Sequence, residues 1–386
     1  MKTLGEIFEI GSGGTPSKTH PEYYDGNIPW VKTGDLKDEY LYSVEDCISE
    51  DGLNNSSAKM YPSGTVLIAM YGATIGATSI LKFDACTNQA CAAFKPCEEV
   101  LPEYLYYFLR SKKQKFISDG VGGAQPNISA GYLKKVSIDI RNIEEQEKIV
   151  TVLDKLNGII QKRQNEVDEL DELIKARFVE MFGDPIVNSE KLPTMPMTEV
   201  CEIIDGDRGK NYPTAEEFLD DGYCLFLNAK NVTASGFNFD SCMFVSKEKD
   251  EALRKGKLSR GDVVLTTRGT LGNLAFYTDE IPFEHVRINS GMVILRMKQR
   301  VVDEIYFIEQ FKLQLDDIKE KIASGSAQPQ LPISTMNKIQ IIISDIDRQK
   351  GFADFVRQVD KSKVVVQKAL NEMELLYNRM MQEFFG

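Results

Sequence analysis

Apolar positions in this 386-residue chain follow two rhythms, and the rhythm changes along the sequence. Through residues 1–142, and again through 199–345, the apolar runs are short, β-branched and separated by glycine pairs and polar tips. Such runs predict strands near 65–70, 136–140, 263–267 and 338–343. One amphipathic helix is predicted in each region, at 102–118, with Tyr106, Leu109, Lys113 and Phe116 on related turns, and at 302–323. Both regions therefore read as mixed α+β globules of ordinary domain size.

Over 143–183 the period lengthens. Ile149, Leu153, Leu156, Ile160, Val167, Leu170, Ile174 and Met181 recur at steps of four and three, interrupted by Arg163 and Arg177, which is a heptad seam. The seam returns over 346–386 as Phe352, Val356, Val359, Val366, Leu370, Met373, Tyr377, Met380 and Phe384, with Lys363 as its polar position. Each helix could pack as an amphipathic element on its own globule. Two seams of equal length and register, about 33 residues or roughly 50 Å each, favour partnership in one coiled coil.

The halves of the chain repeat each other. GGAQPNIS, from Gly122 to Ser129, returns as GSAQPQLP, from Gly325 to Pro332, and the offset of 203 residues holds without a gap to Gly386. Lys135 pairs with Lys338, Gln146 with Gln349 and Phe182 with Phe385. Upstream, YPSGTVLIAMYGATIG answers LSRGDVVLTTRGTLG. After Gly183 a proline-bearing linker, 184–198, leads into the second globule. A parallel partner helix would oblige that globule to carry the chain back along about 50 Å, so an antiparallel pair is expected. The expected fold class is α+β: two pseudo-repeated globules joined by two long helices that form an antiparallel coiled coil.

Composition narrows the function classes. Hydrophobic residues make up 42% and charged residues 27%, which excludes fibrous, mucin-like and wholly disordered chains. The absence of an apolar run of membrane-spanning length or of a signal-peptide core makes a soluble, cytoplasmic protein the expectation. Seven cysteines, with Cys86, Cys91 and Cys97 unlike paired CxxC, and two histidines imply neither a disulfide framework nor a metal site. A net charge of −12 argues against indiscriminate attraction to phosphate, so any DNA contact comes from placed loops or from a more basic partner. Motifs for chemistry are missing too: the chain lacks GxxxxGK[ST], GxSxG and HExxH, and GSGGTPSKT lacks the Gly-Lys pair of a phosphate loop.

The ordered set IGSGGTPSKTHPEYYDGNIPWVKTGDL, GTVLIAMYGATIG, Asn88-Gln89, Gln125-Pro126 and EEQEKIV resembles the specificity subunit of type I restriction-modification systems. The second half keeps Gly261-Asp262, Gly269, Gly272, Gln328-Pro329 and Gln349. It departs in having EIIDGDRGKNYP for EIGSGGTPSKTHP, and Asp347-Arg348 before the glutamine. The resemblance covers nearly the full length. It implies target recognition domain 1 at 1–142, a first conserved helix at 143–183, target recognition domain 2 at 199–345 and a second conserved helix at 346–386. It further implies a subunit without catalysis of its own, each domain reading one half of a bipartite double-stranded DNA target while the helices set the spacing and dock two methyltransferase subunits. S-adenosylmethionine would then belong to the methyltransferase, and ATP and Mg to restriction subunits. The Asn/Asp-Pro-Pro-aromatic motif of adenine methyltransferases is absent from this chain. A protein-binding scaffold that never meets DNA, and an autonomous nuclease, remain the rival readings.

Base edges are read by forked donors and acceptors: Arg or Lys for guanine, Asn or Gln for adenine, hydroxyls and methyls for the rest. In the first domain the candidates are Lys32, Thr33, Asp35, Tyr71, Thr74, Gln89, Gln125 and Asn127. In the second they are Arg208, Lys210, Asn211, Asn228, Lys230, Arg268, Thr270 and Gln328. Trp30 is expected in the core, Gln125 and Gln328 suit a turn as well as a contact, and Asn88 and Asn289 suit turn caps. The clusters Lys112-Lys113-Lys115 and Arg254-Lys255-Lys257 read as solvated faces or phosphate clamps, and Glu166, Glu169, Asp171 and Glu172 as an outer acidic face of the coil.

Overall fold

A computed structural model describes residues 1–120, 127–298, 301–323 and 330–386, so Gln125 and Gln328 lie outside the described residues. Contacts divide the chain into two units, Met1–Gln164 with Lys368–Gly386, and Asn165–Gln367. Each unit therefore takes one half of each long helix.

In the first unit, strands Ile10–Ser12, Cys91–Phe94, Val66–Ala69, Thr78–Leu81 and Tyr40–Leu41 form one sheet in that order. A second sheet follows the order Cys47–Ile48, Ile28–Val31, Ala85–Thr87, Met60–Tyr61, with Ile28–Val31 parallel to Ala85–Thr87. The run VLIA is apolar throughout because both its faces are covered. Val66 and Ile68 join the cluster under helix Pro102–Ser111, whereas Leu67 and Ala69 join Val31, Leu81 and Cys91. Trp30 is buried, donating its indole N–H to the Gly14 carbonyl at 3.0 Å, and is a core residue rather than a stacking platform.

The second unit repeats this plan. Cys201–Asp205, Met292–Met297, Val263–Thr266 and Leu274–Phe276 form one sheet, and Phe244–Val245, Cys224–Leu227 and Val286–Ile288 another, its last two strands again parallel. Val263 and Leu265 face one cluster and Val264 the other. A short ladder closes each unit, Lys2–Thr3 on Ser137–Ile138 and Thr194–Pro196 on Gln340–Ile342.

Two predicted elements need correction. The helix expected over 102–118 is two, Pro102–Ser111 and Lys113–Asp119, whereas its counterpart is one helix, Glu304–Ala323. The break falls at Lys112 (φ −91°, ψ 1°), whose ammonium caps the Phe385 carbonyl at the end of the second long helix. The strand expected over 136–140 is only Ser137–Ile138.

The long helices span Ile143–Phe182 and Ile346–Phe385. In the first unit they run antiparallel: Arg141, just before the first helix, donates to the Phe384 carbonyl at 3.4 Å, and Ile149 and Leu153 share a core with Met381 and Phe385. The second unit mirrors this, with Arg348 donating to the Met181 carbonyl, Phe182 packed edge-on to Phe352 at 5.7 Å, and Lys363 paired with Asp171 at 2.6 Å. Asp171, expected on an outer acidic face, is thus paired with the seam's Lys363.

Burial follows the seam only in part. Ile149, Leu153, Ile174, Phe352, Val356, Val359 and Leu370 are buried, and Leu156, Ile160, Val167, Leu170, Val366 and Met373 are half-buried. Near each helix's C-terminus the buried stripe moves off the heptad. Phe178, Phe182, Met381 and Phe385 are buried, while Met181, Tyr377, Met380 and Phe384 are half-buried. There the helix packs against an α+β core as well as a partner helix, and that wider apolar face replaces the narrow coiled-coil seam.

The first turn of each long helix carries a fully buried glutamine. Gln146 accepts the Leu101 N–H at 2.9 Å and donates to the Glu99 and Arg141 carbonyls at 2.9 and 2.8 Å. Gln349 accepts from the Asp303 N–H at 2.9 Å and donates to the Ser344 carbonyl at 2.8 Å. The altered residues before Gln349 leave this device intact.

Candidate nucleic-acid interface

Backbone pairing gathers the candidate loops onto one edge of each unit. In the first, the Asn88 N–H donates to Val31 O at 2.9 Å and so places the Asn88-Gln89 tip beside Lys32. Met70 N–H donates to Ala90 O at 2.8 Å, Ile128 N–H donates to Met70 O at 3.0 Å, and Tyr71 pairs with Asn127 in an isolated antiparallel bridge. Lys32, Gln89, Tyr71 and Asn127 therefore share one rim.

The second unit builds the same rim with other side chains. Thr267 N–H donates to Gly291 O at 2.8 Å, Leu331 N–H donates to Thr267 O at 3.2 Å, and Arg268 bridges Gln330. Asn228 follows strand Cys224–Leu227, and Asn289 follows Val286–Ile288 beside it. Glycine makes this close approach possible: a Cβ at Gly13 would collide with the Thr87 carbonyl, and one at Gly206 with the Asn289 carbonyl. Gly72 (φ 64°) and Gly269 (φ 74°) turn the chain immediately after Tyr71 and Arg268.

Several candidates are engaged in holding loops. Lys32 pairs with Asp46, whose carboxylate raises its ammonium above the usual range, and Asp35 accepts the Lys32 N–H at 2.7 Å beside Thr33 in a short turn. Gln89 accepts from the Thr15 hydroxyl. Thr74 donates to the Tyr71 carbonyl at 3.2 Å, and the Thr270 carbonyl accepts from Thr266. Arg208 spans Asp205 and the Ser290 carbonyl at 3.1 and 3.2 Å, Asn211 donates to Ala252 O at 2.9 Å, and Asn228 accepts the Lys230 N–H at 2.8 Å. Asn88 and Asn289 cap their own turns, accepting the Ala90 and Gly291 N–H groups at 3.1 and 2.8 Å. From the basic clusters, Lys112 caps a helix and Lys257 pairs with buried Asp250.

The side chains of Tyr71, Asn127, Lys210, Lys230, Arg268 and Gln330 are exposed at the rims and, among the described residues, make no hydrogen bond or ion pair. Tyr71 and Asn127 also line an open groove of about 440 Å³ with Asp119, Ser129 and Tyr132. Gln330 was not singled out from the sequence, although the 203-residue offset maps Asn127 directly onto it. Among the described residues, no group of three or more His, Cys, Asp or Glu could hold a metal, and no helix is long and apolar enough to cross a membrane.

The chain is thus a duplicated α+β unit, each copy presenting a polar loop rim and holding one half of each of two long helices. The family model described as the type I restriction modification DNA specificity domain matches residues 1–169 and 190–375, and the chain belongs to that family. It is 27% identical over 408 residues to the MjaIX specificity subunit of Methanocaldococcus jannaschii, covering 100% of this chain and 92% of the relative. Over 164 residues it is 33% identical to the EcoR124I/EcoR124II specificity subunit of Escherichia coli, 41% of each chain. The S subunit from M. genitalium shares the fold at TM-score 0.55 and 17% identity, covering 100% of this chain and 95% of the other. A chain from a study of complex assembly and conformational transition in the type I R-M system does so at TM-score 0.58 and 16% identity, covering 99% and 96%.

Proposed function

We propose that this specificity subunit reads a bipartite double-stranded DNA target, one half per recognition domain. The observation that carries this reading is the duplicated rim: one backbone arrangement presents Tyr71 and Asn127 in one copy and Arg268 and Gln330 in the other. A constant scaffold with exchanged side chains is what two different half-sites require.

The chain itself performs no catalysis in this proposal. Two methyltransferase subunits dock on the long helices and bring S-adenosylmethionine, and restriction subunits bring ATP and Mg. Because the chain carries a net charge of −12, its partners also supply the positive charge that closes on the phosphates. The antiparallel helices set the distance between half-sites, near one helical turn or roughly 34–36 Å between centres.

Replacement of residues 1–142 by another family member's recognition domain tests the reading. Methylome sequencing should show one half-target changed and the other retained. Change of both halves would overturn the assignment, and loss of all sequence preference with intact assembly would favour a scaffold.

A further inference from the structure

We infer that Arg268 and Gln330 act as a single reading head for two adjacent base pairs, with Tyr71 and Asn127 as its counterpart in the first domain. The inference rests on the proposed DNA-reading function and goes below the level of domains to a two-residue unit.

Three observations converge on it. Each pair is directly opposed across an isolated antiparallel bridge, so its two side chains leave the same face of that bridge, with Cβ atoms about 4.5–5.5 Å apart. Base pairs stack about 3.4 Å apart, within reach of two side chains so placed. Backbone bonds from Leu331 to Thr267 and from Ile128 to Met70 hold the bridges in place, so base reading need not order these residues anew.

The second observation is freedom. Among the described residues all four side chains lack a hydrogen-bond or ion-pair partner, unlike Lys32, Arg208, Asn211 and Asn228 on the same rims. The third is divergence. Backbone bonds at the bridge recur between the units while both side chains differ, as expected where selection changes the target and keeps the frame.

Chemistry then assigns the ligand. The Arg268 fork matches guanine O6 and N7, and the Gln330 amide matches adenine N6 and N7, so the second domain reads adjacent G·C and A·T pairs. In the first domain Asn127 reads an adenine, and Tyr71 offers its ring to a thymine methyl or its hydroxyl to a base edge.

The test uses the full chain assembled with its host's methyltransferase subunits, read by methylome sequencing and by binding to oligonucleotides varied at each position. Arg268→Ala and Gln330→Ala should each relax one base pair, the two adjacent and in the same half-site, with about 5- to 150-fold loss of discrimination there. Gln330→Glu, which keeps the length of the side chain, should exchange adenine for cytosine preference at that position. Arg268→Tyr with Gln330→Asn should rewrite the same two positions and no others. Uniform weakening on all sequences, relaxation of separated positions, or a change in the other half-site would overturn the inference while leaving the domain assignment standing. A parent complex without any sequence preference would instead overturn the domain assignment beneath it.

Discussion

The Asp207 carboxylate accepts the Arg254 backbone N–H at 2.7 Å, and its other oxygen accepts the Gly209 N–H at 2.8 Å. One buried side chain thus ties the loop bearing Arg208 and Lys210 to a segment 47 residues away. These backbone bonds, that from Gly209 first, hold its carboxyl below the usual range. Among the described residues the first domain has no equivalent: its glycine-rich IGSGGTPS replaces the acid with Gly14, whose carbonyl accepts the Trp30 indole N–H.

Asp207→Ala should therefore loosen only the second domain's loop. The expected cost is about 1–3 kcal/mol, set by two backbone donors left unpaired, with half-target discrimination reduced in that domain alone. Urea unfolding and oligonucleotide binding would measure the two effects. Loss of discrimination in both halves would show that the loop is not an independent element.

Gln146 and Gln349 should be among the least replaceable residues on the long helices. Gln146→Leu keeps the volume but orphans the Leu101 N–H and two carbonyls, so a loss of at least about 2 kcal/mol is expected by chemical denaturation. Gln146→Glu should recover little, because the carboxylate cannot donate to the Glu99 and Arg141 carbonyls.

Glu39 carries the opposite sign from Asp207. Burial first, and then the Asp154 carboxylate, raise its carboxyl above the usual range despite Arg110 nearby, and its Oε1 has no hydrogen-bond partner. With the folded value above the unfolded value of about 4.3, the stabilising effect of the proton is complete below that pH and is lost as pH rises through the folded value. Glu39→Gln should raise the unfolding midpoint at pH 7 and leave it nearly unchanged at pH 4. Equal effects at both pH values would remove the charge as the cause.

The unit boundaries give a place to test the ruler. Insertion of four residues after Gln164, matched by four after Gln367, keeps each unit's own contacts and adds about 6 Å of helix at little more than one turn of rotation. The preferred spacer should move by one or two base pairs, at about 3.4 Å each, with both half-targets unchanged. An unaltered spacer in a fully active complex would exclude the helices as the ruler.

Much of this architecture was legible in the sequence because it rests on local periodicity and on repetition. Heptad spacing marked both long helices, the 203-residue offset exposed the duplication, and the apolar, β-branched runs VLIA and VVLT marked strands, whose burial on both faces the structure shows. The missed end of each seam was a matter of environment. Phe178, Phe182, Met381 and Phe385 lie one step off the heptad, and the α+β cores they meet are assembled from distant segments. The reading rim depended on tertiary structure for the same reason. Lys32 and Arg268 look alike in sequence as exposed loop cations, and only folding decides that Asp46 occupies the first while the second, opposite Gln330, has no ion-pair partner among the described residues. Composition and period report how much surface a residue type tends to bury. Which donor finds which acceptor is set by chain segments tens of residues apart, and that pairing exists only once the sheets have closed.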